Sequence, residues 1–560
     1  MGGGSTLYIC VRISLPTEEF FVARKTRPAT RSPRRKSTHG PKLIEAFSTE
    51  PGFSDEDIAT LISEALREGS GLFGGTDPVA RFAEYLEICG NDEEPGDPKT
   101  ARIVDLIDVL NDLRIDSNGG DRRAREDVRA IEDLLASALK DRSFAPADLI
   151  MTGKIFSDAG WTVPDCLKAA VAQALHSETN DNSPIGAGDI SLLLPELSES
   201  GERGPFDIHE FLGSLLSALP VEAGGQIFSA LAALRRADVN HALVGFVLHP
   251  DGTVAQAATE ALRTLASHAP VDSLLIERLL QLRPWLPPSR QDFIAPMIKA
   301  LRLHAASPQK RSLPEFVEGH VSICDGSGTR SVFAVQRLGA KYRLASVMMK
   351  PSGVSDAMII PDLAKSQMNE LLRQMRTSVP MSKTDAVGLV RMLRLALADN
   401  ATSANLPPFR LIEVVESLGV PPLHPDHASA LEIVDELLAA VPSDQTTPAA
   451  AAKAYSALLH QDFVEYWYEA SEALDDLIRP LKSFPQRVAA IMERYLPSRR
   501  QFWARQCAIS ALALRGQANN GTWKQLALAG RDLASDLPFE RIPLMAQIAV
   551  NSVRAFESQM

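Results

Sequence analysis

The chain has 560 residues, of which 45% are hydrophobic and 23% are charged, and its formal net charge at pH 7 is -12. This composition is typical of a soluble globular protein, and an acidic balance disfavours general binding of the folded part to phosphate backbones. The apolar run at 7–11 is too short for a signal peptide, and no stretch approaches the roughly 18 apolar residues of a membrane span, so we expect no contact with a membrane.

The first 42 residues differ from the rest of the chain in charge. They contain nine Lys and Arg residues against Glu18 and Glu19, a net charge of +7, which leaves -19 for the remaining chain. Their Arg, Pro, Ser and Thr content predicts a basic disordered leader at 1–42. An organellar transit peptide, or a start codon placed too far upstream, is an alternative interpretation. We expect nucleic acid to bind, if at all, only through this leader.

The five cysteines are far apart and form no Cys-x-x-Cys pair. An odd, scattered set is typical of reduced thiols, so we expect a cytoplasmic protein. No catalytic, metal-binding or nucleotide-binding motif stands out, and we therefore expect neither enzymatic activity nor a cofactor.

Helical spacing of apolar residues begins soon after the leader and predicts an N-terminal helical region over 43–200. Ser54 is placed to cap one helix, and another begins near Asp77 and Pro78. Residues 177–204 are rich in Asn, Ser, Gly and Glu, which predicts a surface loop or a domain boundary.

A repeated helical pattern is clearest within 201–310. Asp251 is a plausible N-cap, and the helix after it carries an apolar face made of Val254, Ala258, Ala261, Leu262 and Leu265. The triplet Ala-Leu-Arg at 261–263 recurs at 300–302, a spacing of 39 residues, which is close to HEAT-type periods of about 40 to 47.

This stretch resembles the HEAT-like α-solenoid repeats, whose second helix reads Asp-x-x-Val-x-x-x-Ala-x-x-x-Leu. A weaker match covers 499–558, and position 255, where many HEAT repeats have arginine, is alanine in this chain. The resemblance implies stacked helix pairs that form a curved surface for binding other molecules. A helical bundle without a regular superhelix is the alternative.

One segment departs from helix. Runs of β-branched residues punctuated by Gly and Asp predict an antiparallel β insert over 318–361, with three or four strands and an end at Pro361. A helix carrying Met368, Leu371, Leu372 and Met375 follows it. The remaining residues, 362–560, read as a C-terminal helical-repeat region, in which 448–481 forms one long helix or two in tandem. The expected fold is thus mainly α, a HEAT-like solenoid in two arms with a small antiparallel β-meander between them.

The densest aromatic cluster, at 463–469, is the first candidate for a functional surface. Tyr466 and Trp467 are residue types enriched in binding hot spots, and Glu465 and Glu469 lie one helical turn apart. The alternative is an ordinary core contact with the glutamates facing solvent.

Three other segments are weaker candidates. Residues 325–329 could hold a phosphate, although a tight hairpin turn explains them better because they lack the lysine of a P-loop. His424 and His427 flank a carboxylate, but an exposed turn that caps the next helix is favoured over a metal site. Arg499 and Arg500 could bind an anion, against the alternative of a solvated basic edge.

These observations together predict a non-enzymatic scaffold or adaptor that binds a protein partner on a concave helical surface. A HEAT-like enzyme acting on nucleic acid is one alternative, and a small-molecule site at the junction of the β insert and its flanking helices is another.

Overall fold

The computed structural model describes residues 77–89, 97–118, 122–178, 204–217, 219, 221–267, 270–308, 312–378, 380–515, 521–535 and 537–559. These residues form two compact units, one within 77–178 and the other made of 204–216 and 221–559. The predicted leader at 1–42, the helix expected after Ser54 and most of the loop expected over 177–204 lie outside the described residues.

The N-terminal unit is built from helices. They are α1 (Pro78–Ile88), α2 (Asp97–Asn118), α3 (Arg122–Asp141), α4 (Pro146–Asp158) and α5 (Asp165–Glu178). The Val79 backbone N–H donates to the Asp77 side chain at 3.0 Å, which confirms the predicted start of α1. Phe82 and Phe156 meet edge to face in the core of this unit, with 5.6 Å between their ring centroids.

The C-terminal unit begins with a run of helices. They are α6 (Pro205–Ser217), α7 (Val221–Ala233), α8 (Ala237–Gly245), α9 (Gly252–Thr264), α10 (Ser273–Leu282) and α11 (Pro288–Leu303). Asp251 caps α9 as predicted, since its Oδ1 accepts from the Thr253 N–H at 2.7 Å. The helix packs against α7 and α11 with its predicted apolar face, although Leu265 follows its end and is only half-buried.

An antiparallel sheet follows, with the strand order β4-β3-β2-β1-β5 in the described chain. Its strands are β1 (Glu315–Ser322), β2 (Arg330–Leu338), β3 (Lys341–Lys350), β4 (Gly353–Leu363) and β5 (Met381–Thr384). The first four form the predicted meander, in which Ala334 of β2 lies opposite Gly319 of β1 and Ala345 of β3. β4 continues through Pro361, where we expected the sheet to end. Its position at the edge tolerates a proline, which has no N–H to donate.

The fifth strand was not predicted. β5 pairs with β1, from Gly319 opposite Thr384 to Ser322 opposite Met381. The helix α12 (Lys365–Ser378) connects β4 at one edge of the sheet to β5 at the other. A strand of four residues is too short for alternation of polar and apolar side chains to reveal it. α12 covers one face of the sheet with the four apolar residues predicted for it, Met368, Leu371, Leu372 and Met375.

The opposite face of the sheet packs against α13 (Ala386–Thr402) and α14 (Leu411–Leu418). Asn400 of α13 holds the edge strand, because its Oδ1 accepts from the Val354 N–H at 2.8 Å. Gly353 has a φ of +110°, and a Cβ atom at this position would lie 2.2 Å from Asn400 Cγ, so only glycine fits. Helices therefore cover both faces of the sheet.

The remaining helices are α15 (Ala430–Leu438), α16 (Pro448–Leu458), α17 (Glu472–Ile478), α18 (Phe484–Ala490), α19 (Leu496–Leu514), α20 (Thr522–Ala534) and α21 (Pro543–Gln559). Of the two alternatives for 448–481, the chain takes the one with two helices. A 3-10 turn at Asp462–Tyr466 and an extended residue, Trp467, separate these helices. Trp467 lies in the large apolar core of this region.

The described chain is thus mainly α-helical with a small antiparallel sheet, as the sequence predicted. None of its described helices combines the length and apolar composition needed to cross a membrane.

Candidate partner-binding groove

The segment 463–469, predicted as a partner-binding surface, lies largely inside the molecule. Trp467 is fully buried and Glu469 is buried as well. Tyr466 is half-buried, and only Glu465 of these four residues is exposed. Trp467 therefore makes the core contact given as the alternative for this segment, and Glu469 is buried beside it instead of facing solvent, which leaves Glu465 and part of Tyr466 accessible to a partner.

Glu469 is a buried carboxylate held by two donors. Arg499 Nε and Trp503 Nε1 each donate to its Oε1 at 2.8 Å. The Arg499 guanidinium also lies over the Phe502 ring, 3.9 Å from its centroid. Arg500 donates to backbone carbonyls ahead of α21. The two arginines therefore bind groups of their own chain, and neither an anion site nor a solvated basic edge describes them.

The segment 325–329 is a hairpin turn, as predicted. Asp325 Oδ1 accepts hydrogen bonds from two backbone N–H groups of the turn, each 2.9 Å long, and Gly328 has a φ of +85°. Beside this turn, Trp467 Nε1 donates to the Cys324 carbonyl at 2.9 Å. The fold thus brings together segments that the sequence left unrelated, in a buried junction between the sheet and the C-terminal helices.

Residues 424–427 form a connection that leads into α15, with His424 and His427 exposed as predicted, but the cap of the helix expected from this segment comes from Ser429 instead. Ser429 then caps α15 in a capping box, in which the Ser429 N–H donates to Glu432 Oε2 at 2.7 Å and the Glu432 N–H donates to Ser429 Oγ at 3.2 Å. Within the described ranges, no group of three or more His, Cys, Asp or Glu side chains is placed to hold a metal ion.

A groove of about 730 Å³ opens beside this connection, between α13 and α15. One wall is a stripe of α13 at the helical spacing i, i+3, i+4 and i+7, namely Val387, Val390, Arg391 and Arg394. The other walls are residues 426–428 and, from α15, Glu432 and Glu436. Val387 is 77% exposed, so the groove presents an apolar end to solvent.

Most charges in the groove neutralise one another. Arg391 forms two hydrogen bonds with the Glu436 carboxylate, with Nη2 2.5 Å from Oε2, and this pairing lowers the pKa of Glu436. Asp426 Oδ2 lies 4.0 Å from Arg391 Nε. Arg394 differs, because its Nε donates to the His424 carbonyl at 2.9 Å and no carboxylate of the described chain pairs with it. Its two terminal amino groups therefore keep their hydrogen-bonding capacity.

A buried ion network joins the groove to the sheet. Arg505 Nη1 donates to the carbonyl of Ala428, a groove residue, at 3.0 Å, and its Nη2 lies 2.6 Å from Asp399 Oδ1. Arg330 Nη2 of β2 lies 3.1 Å from the other Asp399 oxygen. These contacts hold the wall of the groove at a fixed position relative to the sheet.

Sequence reasoning missed this groove. The spacing of Val387, Val390, Leu393 and Leu397 is that of one apolar helical face, whereas the structure buries the two leucines and leaves Val387 exposed. The available signal was the second stripe, which pairs the two valines with Arg391 and Arg394. Periodicity along one helix does not reveal which distant segment lies opposite that stripe.

The fold and the groove define a mainly α-helical protein with a covered antiparallel sheet and an open, charged groove beside it. Two domain-family models match the chain, the Y4lR second domain over residues 220–304 and the Y4lR C-terminal helical domain over residues 431–557. The first match spans α7 to α11, the stretch interpreted as HEAT-like repeats, and the second runs from α15 into α21.

One relative, described as "Uncharacterized protein y4lR" from Sinorhizobium fredii (strain NBRC 101917 / NGR234), is 23% identical over 472 residues. The alignment covers 82% of this chain and 88% of that protein. The chain is thus similar to Y4lR in these two domains and over most of its length. No solved structure matches the chain.

Proposed function

We propose that this protein is a non-enzymatic adaptor that binds another protein on its helical surface. The groove between α13 and α15 is the observation that supports the proposal. It combines an exposed apolar side chain, Val387, with an arginine, Arg394, that has no carboxylate partner in the described chain. Apolar anchors beside arginine donors are typical of protein interfaces. The groove is open, as a surface that receives a protein segment needs to be.

In this proposal the helices belong to two HEAT-like arms, 201–310 and 362–560, separated by the sheet. The burial of the predicted face of α9 against α7 and α11 supports the stacking of helices in the first arm. The proposal also locates the protein in the cytoplasm, where its four described cysteines, all free thiols, would stay reduced.

Affinity purification of the full-length chain from its native cells, with cross-linking and mass spectrometry, tests the adaptor function. Val387→Asp is the informative variant, because an acidic residue in the first turn of α13 is compatible with the helix dipole. Leu303→Asp is the matched control, since both side chains are 77% exposed. We expect a stoichiometric partner that Val387→Asp loses and Leu303→Asp retains. Recovery of background proteins alone would contradict the adaptor proposal.

Binding of a small molecule at the junction of the sheet and its flanking helices is a second candidate. The fully buried Gln336 donates through Nε2 to the Ser417 carbonyl at 2.9 Å, but its Oε1 accepts no hydrogen bond in the described chain. Arg343, opposite it on β3, has a buried Nε without an acceptor. A polar ligand would satisfy both groups. A high-resolution crystal structure showing only ordered water between these two atoms would remove this candidate.

A further inference from the structure

We infer that the groove between α13 and α15 receives a single amphipathic helix of a protein partner. This helix presents a carboxylate to Arg394 and an apolar side chain to Val387 and Val390. The inference rests on the proposed adaptor function and specifies the chemistry of the partner.

The groove lining carries three carboxylates and two arginines, and the terminal amino groups of Arg394 favour a carboxylate of the occupant at that one position. Glu436 is already bound by Arg391 and lies 3.9 Å from Arg515 Nη1. Glu432 accepts the backbone N–H of Ser429. The acidic side chains of α15 are therefore stabilised by their own chain. Arg394 is the groove cation whose terminal amino groups lack a carboxylate among the described residues. A carboxylate is the acceptor that matches the two parallel N–H donors of a guanidinium.

Asp426, the remaining acidic residue of the groove, does not offset this preference. Its Oδ1 accepts the Ala428 N–H at 3.2 Å, and its Oδ2 faces Arg391 at 4.0 Å. The carboxylate is thus turned toward its own loop and toward an arginine that Glu436 also binds.

The apolar part of the groove selects an amphipathic segment. Val387 is 77% exposed and Val390 is half-buried on the same stripe of α13. Covering these side chains removes apolar surface from water, which favours binding whatever the charge of the partner. A wholly acidic peptide would leave the two valines exposed, so the occupant needs both kinds of side chain.

The dimensions favour a helix as the occupant. From Val387 to Arg394 the stripe rises by about 10 Å, two turns at 1.5 Å per residue. A partner helix lying along this stripe presents residues at i, i+3 or i+4, and i+7 to the same positions, which is how helices bind in grooves between helices. The groove volume of about 730 Å³ has room for the side chains of one segment, not for a folded domain.

A photo-cross-linking amino acid at position 387 of the full-length chain identifies the occupant. Position 303, equally exposed on α11, carries the same amino acid in the control protein. After irradiation in the native cells, mass spectrometry locates the cross-linked segment of the partner. That segment is then synthesised, and its affinity for the wild-type chain and its variants is measured by fluorescence anisotropy.

We expect a segment with helical periodicity and an Asp or Glu within one turn of the cross-linked residue. Arg394→Glu should weaken its binding by about tenfold or more, the loss of one charge-assisted pair. Replacing the peptide carboxylate with lysine should weaken binding to the wild-type chain to a similar degree and restore binding to the Arg394→Glu chain. Arg554→Glu, which makes the same charge change at an exposed site on α21, should leave the affinity unchanged.

Two outcomes would overturn the inference and leave the adaptor proposal in place. One is a partner that cross-links at 303 and not at 387, and the other is a peptide whose affinity does not respond to Arg394→Glu. If neither position recovers a stoichiometric partner, both the inference and the adaptor proposal fail.

Discussion

Replacement of Trp467 distinguishes a core residue from a binding hot spot. Its side chain is fully buried, and its indole N–H donates to the Cys324 carbonyl at 2.9 Å. Truncating a buried tryptophan to alanine costs about 3–5 kcal/mol of stability. Trp467→Phe keeps most of the packing but removes the indole N–H. The buried Cys324 carbonyl then lacks a donor, which lowers the free energy of unfolding by about 1–3 kcal/mol. We therefore expect Trp467→Ala to destabilise the chain more than Trp467→Phe.

Urea unfolding followed by circular dichroism measures both effects as shifts of the transition midpoint at constant slope. Glu465→Gln is the control from the same segment, and because Glu465 is exposed we expect a change within about 0.5 kcal/mol. If Trp467→Ala unfolded like the wild-type chain and lost a protein partner instead, the assignment of this side chain to the core would be refuted.

Further substitutions test the repeat face, the buried ion pair and the histidine environment. Leu262→Asp places a charge on a fully buried face of α9 and should lower the melting temperature strongly, whereas Arg263→Ala beside it, at an exposed position, should not. Arg278 is buried with its Nε 2.7 Å from Glu416 Oε1, so Arg278→Ala should cost about 3–5 kcal/mol, and a double-mutant cycle with Glu416→Leu should show strong coupling. Burial lowers the pKa of His209 from 6.5 to about 4. Between these two values, His209 binds a proton in the unfolded chain but not in the folded chain. The folded state should therefore lose stability as the pH falls from 6.5 toward 4, by about 3 kcal/mol at most. His209→Phe should flatten this part of the stability profile, and an unchanged profile would exclude His209 as its source.

Much of the local structure could be predicted from the sequence. Asp77 and Asp251 cap helices at the expected positions, and residues 325–329 turn between β1 and β2 as expected. In each case the deciding contact joins groups two to four residues apart, so a short window of sequence contains all of the relevant chemistry.

The candidate site could not be predicted in the same way. The aromatic and acidic residues at 465–469 have the composition of a binding surface, but Trp467 and Glu469 are buried because partners from distant segments surround them. Cys324 supplies the acceptor for one, and Arg499 and Trp503 supply the donors for the other. Composition indicates which contacts a residue can make, and the tertiary structure decides whether those contacts are made within the chain.

The sequence by itself determined that this protein is mainly helical, that a β-meander interrupts the helices, and where several helices begin. Spacing of apolar residues and local hydrogen bonds suffice for these features. Only the tertiary structure decided that β5 completes the sheet, that Trp467 belongs to the core, and that α13 faces α15 across an open groove. These three features depend on pairing and packing between segments far apart in the chain, and the periodicity of a single segment carries no information about its distant neighbour.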